Sequence, residues 1–395
     1  MRITDNIRFN TAISNLFSTQ SQYNDLMEKI ASQKKVNRAS DDPVAATKII
    51  DIRQGKAANE QYQKNMGSCE SWISATESKL SSAYDLLVNA QEIAVGQATA
   101  TATATTRQIA AQQVQSLIEE MTSLANAKTG NRYLFSGSQT STQPFSAVEN
   151  PATIDSPVAA DGNVYTGTVS KGGAYTGLSN KTYVFKIVAG GNLSAATYQI
   201  SSDGGKTWGA VKEDLDTGTI PLGDGIELTF EAGAFAENDV FSVRAYAPGY
   251  YLGDNENLSV AINRGTSLAY NISGAEAFTS AGSNGVDVFK TLNSLKDALN
   301  SNNVQGISGQ LDNLKNAQNQ VTLNQSRCGT KANHIEVVKS SLADFDKDLS
   351  DLLSAVQDAD LEDLVTRLSM KEIALKASYA MASKIGNTTI LDFLK

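Results

Sequence analysis

Few side chains in this sequence stand at spacings that catalysis or metal binding requires. The single histidine, His334, lies inside a helical pattern with no Cys or Asp at ligand spacing, so it offers neither a metal centre nor the base of a Ser-His-Asp triad. The two cysteines, Cys69 and Cys328, belong to no C-x-x-C pair, which removes zinc and dithiol motifs. Both fall at apolar positions of helical stretches and read as small core residues. A disulfide between them would need Cα atoms within about 7 Å, which spacing alone leaves open. Gly204-Gly205-Lys206-Thr207 has the ending of a phosphate loop, but Ile200 stands where the motif needs its first glycine. The pairs Asp41/Asp42 and Asp358/Asp360 fit helix starts and solvated surface better than general acids.

The sharpest local motif runs Ser201-Ser202-Asp203-Gly204-Gly205-Lys206-Thr207-Trp208. It fits S-x-D-x-G-x-T-W, the hairpin signature called an Asp-box. The aspartate is expected to accept turn N–H groups, the glycines to take positive φ, and the tryptophan to pack under the hairpin. Sialidases carry several such boxes on propeller blades, away from the active site. One copy without a propeller-length repeat reads as a structural staple rather than a site of glycan hydrolysis. No catalytic residue, metal ligand or cofactor site is therefore expected, and the chain is read as a non-enzyme.

The elements around these residues follow a helical, β-rich, helical order. From Phe9 the apolar residues Ile13, Leu16, Tyr23, Met27 and Ile30 recur in threes and fours, a coiled-coil seam with Gln20 as its polar exception. Ser40-Asp41-Asp42-Pro43 is a start signal: Asp42 can accept free N–H groups, and Pro43 suits the first helical position. A second seam runs from Tyr62 through Met66, Cys69, Ile73 and Leu80 to Ala90. The Thr/Ala alternation from Thr99 to Thr106 predicts a connection with Thr105 or Thr106 as cap of the next helix, which Gly130 is expected to end. Alternating runs at 182–188, 225–230 and 240–246, separated by glycine turns, predict an all-β sandwich or barrel. Helical periodicity returns near Val286 and continues without proline through Val356, then from Leu361 to the end. Helices of such length want a partner along their length. The economical arrangement packs N-terminal helices on C-terminal ones, with the β module as an insertion. The expected fold class is α+β: an elongated helical coiled-coil bundle formed by both ends of the chain, with an inserted all-β domain.

Composition agrees with a folded, multidomain chain. Of 395 residues 41% are hydrophobic, enough for ordinary cores, and the length exceeds what one core usually holds. The net charge of -9 disfavours phosphate backbones, so no nucleic-acid partner is expected. No run reaches the roughly 18 apolar residues of a membrane span, and Met1-Arg2-Ile3-Thr4-Asp5-Asn6 lacks the apolar core of a secretory signal.

Several motifs, kept in order, resemble the flagellin superfamily. They are the Met1-Arg2-Ile3-Thr4 opening, the turn Arg38-Ala39-Ser40-Asp41-Asp42-Pro43 followed by Ala45-Ala46, and Gly130-Asn131-Arg132-Tyr133-Leu134-Phe135-Ser136-Gly137 with Pro144-Phe145. Tyr251-Leu252-Gly253-Asp254, Asn271-Ile272-Ser273-Gly274 and the ending Ile390-Leu391-Asp392-Phe393-Leu394 complete the set. The proline turn and the L-D-F-L ending are similar to the superfamily's hook-filament junction class rather than to flagellins. The resemblance covers about 1–145 and 246–395, and the middle matches only loosely.

The resemblance implies a structural flagellar subunit at the junction between hook and filament, with a filament flagellin, or a glycan-binding or glycan-hydrolysing β module on a flagellar scaffold, as alternatives. It implies export through the flagellar type III apparatus without a cleaved signal, and an extracellular location. The implied partners are other copies in a side-by-side ring, the first hook-associated protein below, flagellin above and an export chaperone beforehand. The expected domains are 1–40 with 360–395 as terminal assembly helices disordered in the monomer, 41–145 with 246–359 as a helical shaft bearing a β-hairpin, and 146–245 as the β insertion. The expected assembly residues are Ile3, Ile7, Phe9, Ile13, Leu16 and Tyr23 at one end, Asp41, Asp42 and Pro43 at the corner, and Leu375, Tyr379, Ile385, Ile390, Leu391, Phe393 and Leu394 at the other.

Overall fold

The computed structural model of the chain describes residues 2–213, 215, 218–281 and 285–391. Its helices are α1 (Arg2–Ser32), α2 (Pro43–Gln97), α3 (Ala104–Ala125), α4 (Gly274–Phe278), α5 (Val288–Asn300), α6 (Val304–Gln357) and α7 (Leu361–Leu391). Between α3 and α4 lie the strands. They begin with β1 (Lys128–Thr129), β2 (Arg132–Tyr133), β3 (Phe145–Asn150), β4 (Thr153–Ile154), β5 (Val158–Ala159) and β6 (Val169–Gly173). There follow β7 (Lys181–Ala189), β8 (Thr197–Ser201), β9 (Thr219–Gly223), β10 (Ile226–Phe230) and β11 (Val240–Tyr246). The last are β12 (Gly249–Tyr251), β13 (Ser259–Asn263) and β14 (Thr266–Ala269). The chain divides into two compact units, Met1–Lys64 with Lys339–Lys395, and Asn65–Val338.

In the first unit, α1 packs on α7 and the start of α2 on the end of α6. N-terminal helices thus lie against C-terminal ones, as their single apolar stripes require.

The second unit is built on the same logic. Met66, Cys69, Ile73, Leu80 and Leu87 of α2 are buried together with Val114 and Met121 of α3, Leu292 and Leu295 of α5, and Leu314, Val321 and Cys328 of α6. Both cysteines are free. Thr103, not Thr105 or Thr106, caps α3. Its side chain accepts from Thr106 N while Thr106 Oγ1 accepts from Thr103 N, a reciprocal box that satisfies two end groups. Gly130 does not end α3, which stops at Ala125; it turns β1 into β2 at φ 60°.

The β insertion is a sandwich. One sheet has the order β6-β10-β9, the other β4-β11-β7-β8 with β5 also on β11, and the pairings between their strands are antiparallel. Period-two alternation sends Ile226, Leu228 and Phe230 of β10 inward to meet Phe241, Val243 and Ala245 of β11 and Phe185 and Ile187 of β7. The antiparallel pair β3/β12 carries the chain into and out of this module. Phe145 on it packs against Phe278, Phe289 and Tyr251 at ring separations of 4.9–5.6 Å.

Candidate assembly face

The geometry of the first unit begins at its corner. Asp41 accepts from the backbone N–H groups of Asn37 and Arg38 at 3.0 and 2.9 Å. Those two bonds, Arg38's first, hold its carboxyl below the usual carboxylate range. Asp42 accepts from Val44 and Ala45 N at 3.0 and 2.9 Å, so it is the cap of α2 with Pro43 in the first turn. The corner is tied to the far end of the chain by Lys35 N donating to Gln357 O and Ala359 N donating to Gln33 O, at 2.9 and 3.1 Å. Val36, Ala45 and Ile49 close it against Leu353 and Val356. The turn that sequence singled out therefore fixes the passage from α1 to α2 and anchors the start of α7.

Above the corner α1 and α7 run antiparallel. Leu16 and Leu364 are buried in their seam, and Ile13, Tyr23, Ile30, Leu368 and Leu375 are half-buried. Gln20, the polar exception, is used: it accepts from Tyr379 Oη at 3.1 Å and donates to Asn24 at 3.0 Å. Lys371 donates to Gln22 at 2.6 Å. A groove of about 610 Å³ opens beside the seam, with Leu26, Leu364 and Met370 on its wall and Asp25, Lys29 and Arg367 among its charged lining.

The pair is apolar on its outside as well. At about 100° per residue, Ile373 falls opposite Leu364 on α7 and Met370 and Met381 lie on one flank, Met370 at the groove wall, and Met370, Ile373 and Met381 remain 64%, 69% and 68% exposed. Ile7, Phe17 and Val365 are exposed too. Isolated exposed hydrophobics are ordinary, but three on one side of α7 away from its seam make that side a candidate interaction face.

Of the residues expected from sequence, the structure brings Ile13, Leu16, Tyr23 and Leu375 together in the seam and Asp41, Asp42 and Pro43 at the corner. Ile7 and Tyr379 are exposed rather than central. Tyr379 lies at the seam's edge, where its hydroxyl reaches Gln20. The side chains of Ile3, Phe9, Ile385, Ile390 and Leu391, and all of Phe393 and Leu394, lie outside the described part. Sequence reasoning followed one stripe per helix and so missed the second face of α7. Its signal was there: Met370, Ile373 and Met381 lie between the seam positions.

The other chemical candidates are structural. Asp203 accepts from Lys206 N, Thr207 N, Thr207 Oγ1 and Ser201 Oγ. Those bonds, led by the Ser201 and Thr207 hydroxyls, hold its carboxyl well below the usual range. Gly204 and Gly205 have φ of 74° and 93°. Trp208 lies against the turn of the hairpin and stays partly open to solvent. It is 38% exposed, with its ring beside Gly205 of the turn. His334 is exposed on α6. Among the described residues no group of three or more His, Cys, Asp or Glu could hold a metal ion, and no helix is long and apolar enough to cross a membrane.

Comparison with known proteins adds three findings. Residues 3–140 match the bacterial flagellin N-terminal helical region and residues 311–394 the bacterial flagellin C-terminal helical region, together more than half of the chain. Flagellar hook-associated protein 3 of Escherichia coli (strain K12) is 31% identical over 147 residues, 37% of this chain and 46% of that protein. The protein of the same name from Salmonella typhimurium is 31% identical over 146 residues, with the same shares. The match thus spans about half the length of these curated relatives. A provisionally assigned flagellar hook-associated protein from Vibrio parahaemolyticus has a solved structure that superposes with a TM-score of 0.51 at 14% identity, over 80% of this chain and 100% of that one. That likeness speaks for the fold.

Proposed function

Because the chain belongs to the bacterial flagellin family, we propose that it is a structural subunit of the bacterial flagellum, seated at the junction between hook and filament. The observation that carries this reading is the two-sided α1–α7 pair. Its seam buries few side chains, and its back presents Met370, Ile373 and Met381 to solvent. Long helices owe their stability to packing more than to propensity. A pair so thinly packed is completed when neighbours cover the second face, at about 25 cal/mol per Å² of apolar surface removed from water. In the free chain the two ends fray, and assembly orders them.

The partners that follow are copies of this chain side by side, a hook-associated protein below and flagellin above, with a chaperone holding the ends before assembly. The subunit leaves the cell through the flagellar export apparatus and performs no catalysis. The names of the curated relatives favour the junction over the filament. Deleting the gene and examining the cells by electron microscopy tests the reading. Hooks without filaments, with flagellin shed into the medium, are expected; filaments of normal length and number would refute it. Long filaments grown from the purified chain on seeds would instead make it a filament subunit.

A further inference from the structure

The Asp-box hairpin is bonded more fully than a surface turn requires. Asp203 gathers the N–H and hydroxyl groups of the turn, and the Ser201 hydroxyl accepts from Asp203 N and Gly205 N at 3.3 and 2.9 Å. A turn held in this way keeps its shape, and with it the position of Lys206. Lys206 Nζ forms an ion pair with Glu256, whose side chain is largely buried. Gly204 passes so near that a Cβ there would stand 3.4 Å from Glu256 Oε1, and its φ of 74° also favours glycine. The same glycine donates its N–H to Thr182 O at 3.0 Å, which holds the turn to β7.

Glu256 belongs to the shaft side of the second unit and is fixed as firmly as Lys206. Its N–H donates to Asp254 Oδ1 and its carbonyl accepts from Asn271 Nδ2, both at 3.0 Å. Asp254 in turn accepts from Ser138 N and Ser138 Oγ at 2.7 and 2.6 Å. The β insertion has further ties to the shaft. The chain enters and leaves by β3/β12, and a two-stranded ribbon alone is pliant. Buried Asn180 donates to Tyr251 O and Gly253 O at 3.0 and 2.6 Å and accepts from Ala247 N at 2.7 Å, so it clasps β12 and its flanks. The Lys206–Glu256 pair reaches past the ribbon, to the segment that follows it.

We propose that the Asp-box hairpin is a latch: by carrying Lys206 to Glu256 it keeps the β insertion in one orientation on the helical shaft, and when the pair parts the insertion turns about the β3/β12 ribbon. A charge pair with one partner half exposed is weak enough to open and close without unfolding either side.

The test uses the full purified chain with Cys69 and Cys328 replaced by alanine and nitroxide labels on Ser170→Cys of β6 and Gln113→Cys of α3, both exposed positions. Pulsed dipolar electron spin resonance reads the distance between insertion and shaft, and one narrow distribution is expected. Lys206→Met, Glu256→Gln and Asp203→Ala, the last of which loosens the turn and leaves the pair's own side chains in place, should each broaden it about twofold, because the pliant ribbon then sets the orientation. Lys206→Glu broadens it as well, and adding Glu256→Lys narrows it again. Far-UV circular dichroism accompanies each variant, and broadening with the strand signal intact supports the latch. A distribution already broad before the latch is altered, variants as narrow as the parent, broadening only where strand signal is lost, or no recovery in the charge-reversed pair would each overturn it.

Discussion

The outer face of α7 can be altered without touching its seam. In the triple variant Met370→Gln, Ile373→Thr, Met381→Gln each replacement turns an exposed apolar side chain into a neutral polar one. The three side chains are 64%, 69% and 68% exposed, so the free chain has little to lose. On the reading proposed above, neighbours in the assembly cover the remaining two-thirds. Full burial of such a side chain is worth about 1.5–3 kcal/mol, so each contributes ~1–2 kcal/mol to association. The three together contribute ~3–6 kcal/mol, an upper estimate that corresponds to roughly 10²–10⁴ in affinity. The assay compares variant subunit bound in isolated hook-filament preparations with variant secreted to the medium, alongside circular dichroism of the purified chain. Export and helix content at wild-type level with incorporation lost is the expected result. Incorporation at wild-type level would show that the outer face meets nothing, and a loss of helix in the free chain would show that it already packs within one copy.

Other consequences are local. Arg107 is buried, and its guanidinium donates to Gln97 O and Thr99 O at 3.1 and 2.9 Å, near the end of α2, and to Asn302 Oδ1 at 2.5 Å. Arg107→Ala removes the three bonds from its buried guanidinium and should destabilise the second unit by about 1–3 kcal/mol, read from the urea midpoint by far-UV circular dichroism. Asp42→Ala removes the cap of α2 and should cost about 1 kcal/mol of first-unit stability, seen as a lowered urea midpoint for protection of the corner from protease. Burial pushes the Cys69 and Cys328 thiols up to about 11. A raised folded-state value stabilises the fold below the ordinary thiol range near 9, and this contribution fades as pH rises through about 11. The native chain should therefore show no thiol labelling at pH 8, gain two labelled thiols in urea, and lose urea resistance between pH 9 and 11.

Much of this organisation was legible in the sequence because long helices and half-buried strands write their periods plainly. The seam around Leu16 and the alternation of β10 and β11 are of that kind. What escaped had competing solutions that only tertiary contacts decide. Several threonines between Thr99 and Thr106 could cap α3, and Thr103 does so because Thr106 stands three residues on to return the bond. Gly130 looked like a helix end, yet α3 stops earlier at Asn126. That side chain is held by Phe145 through bonds in both directions, a partner 19 positions away. At the assembly face the heptad pattern gave the inner stripe and hid the outer one, because a helix that is apolar on two sides shows only a weakened period.

Amide hydrogen exchange along α1 and α7, measured in the free chain and again in isolated hook-filament preparations, tests the central claim most directly. The two helices should exchange within seconds to minutes when free and become strongly protected in the preparation, as neighbours cover Phe17, Ile373 and Met381. Equal protection in both states, whether high or low, would contradict it.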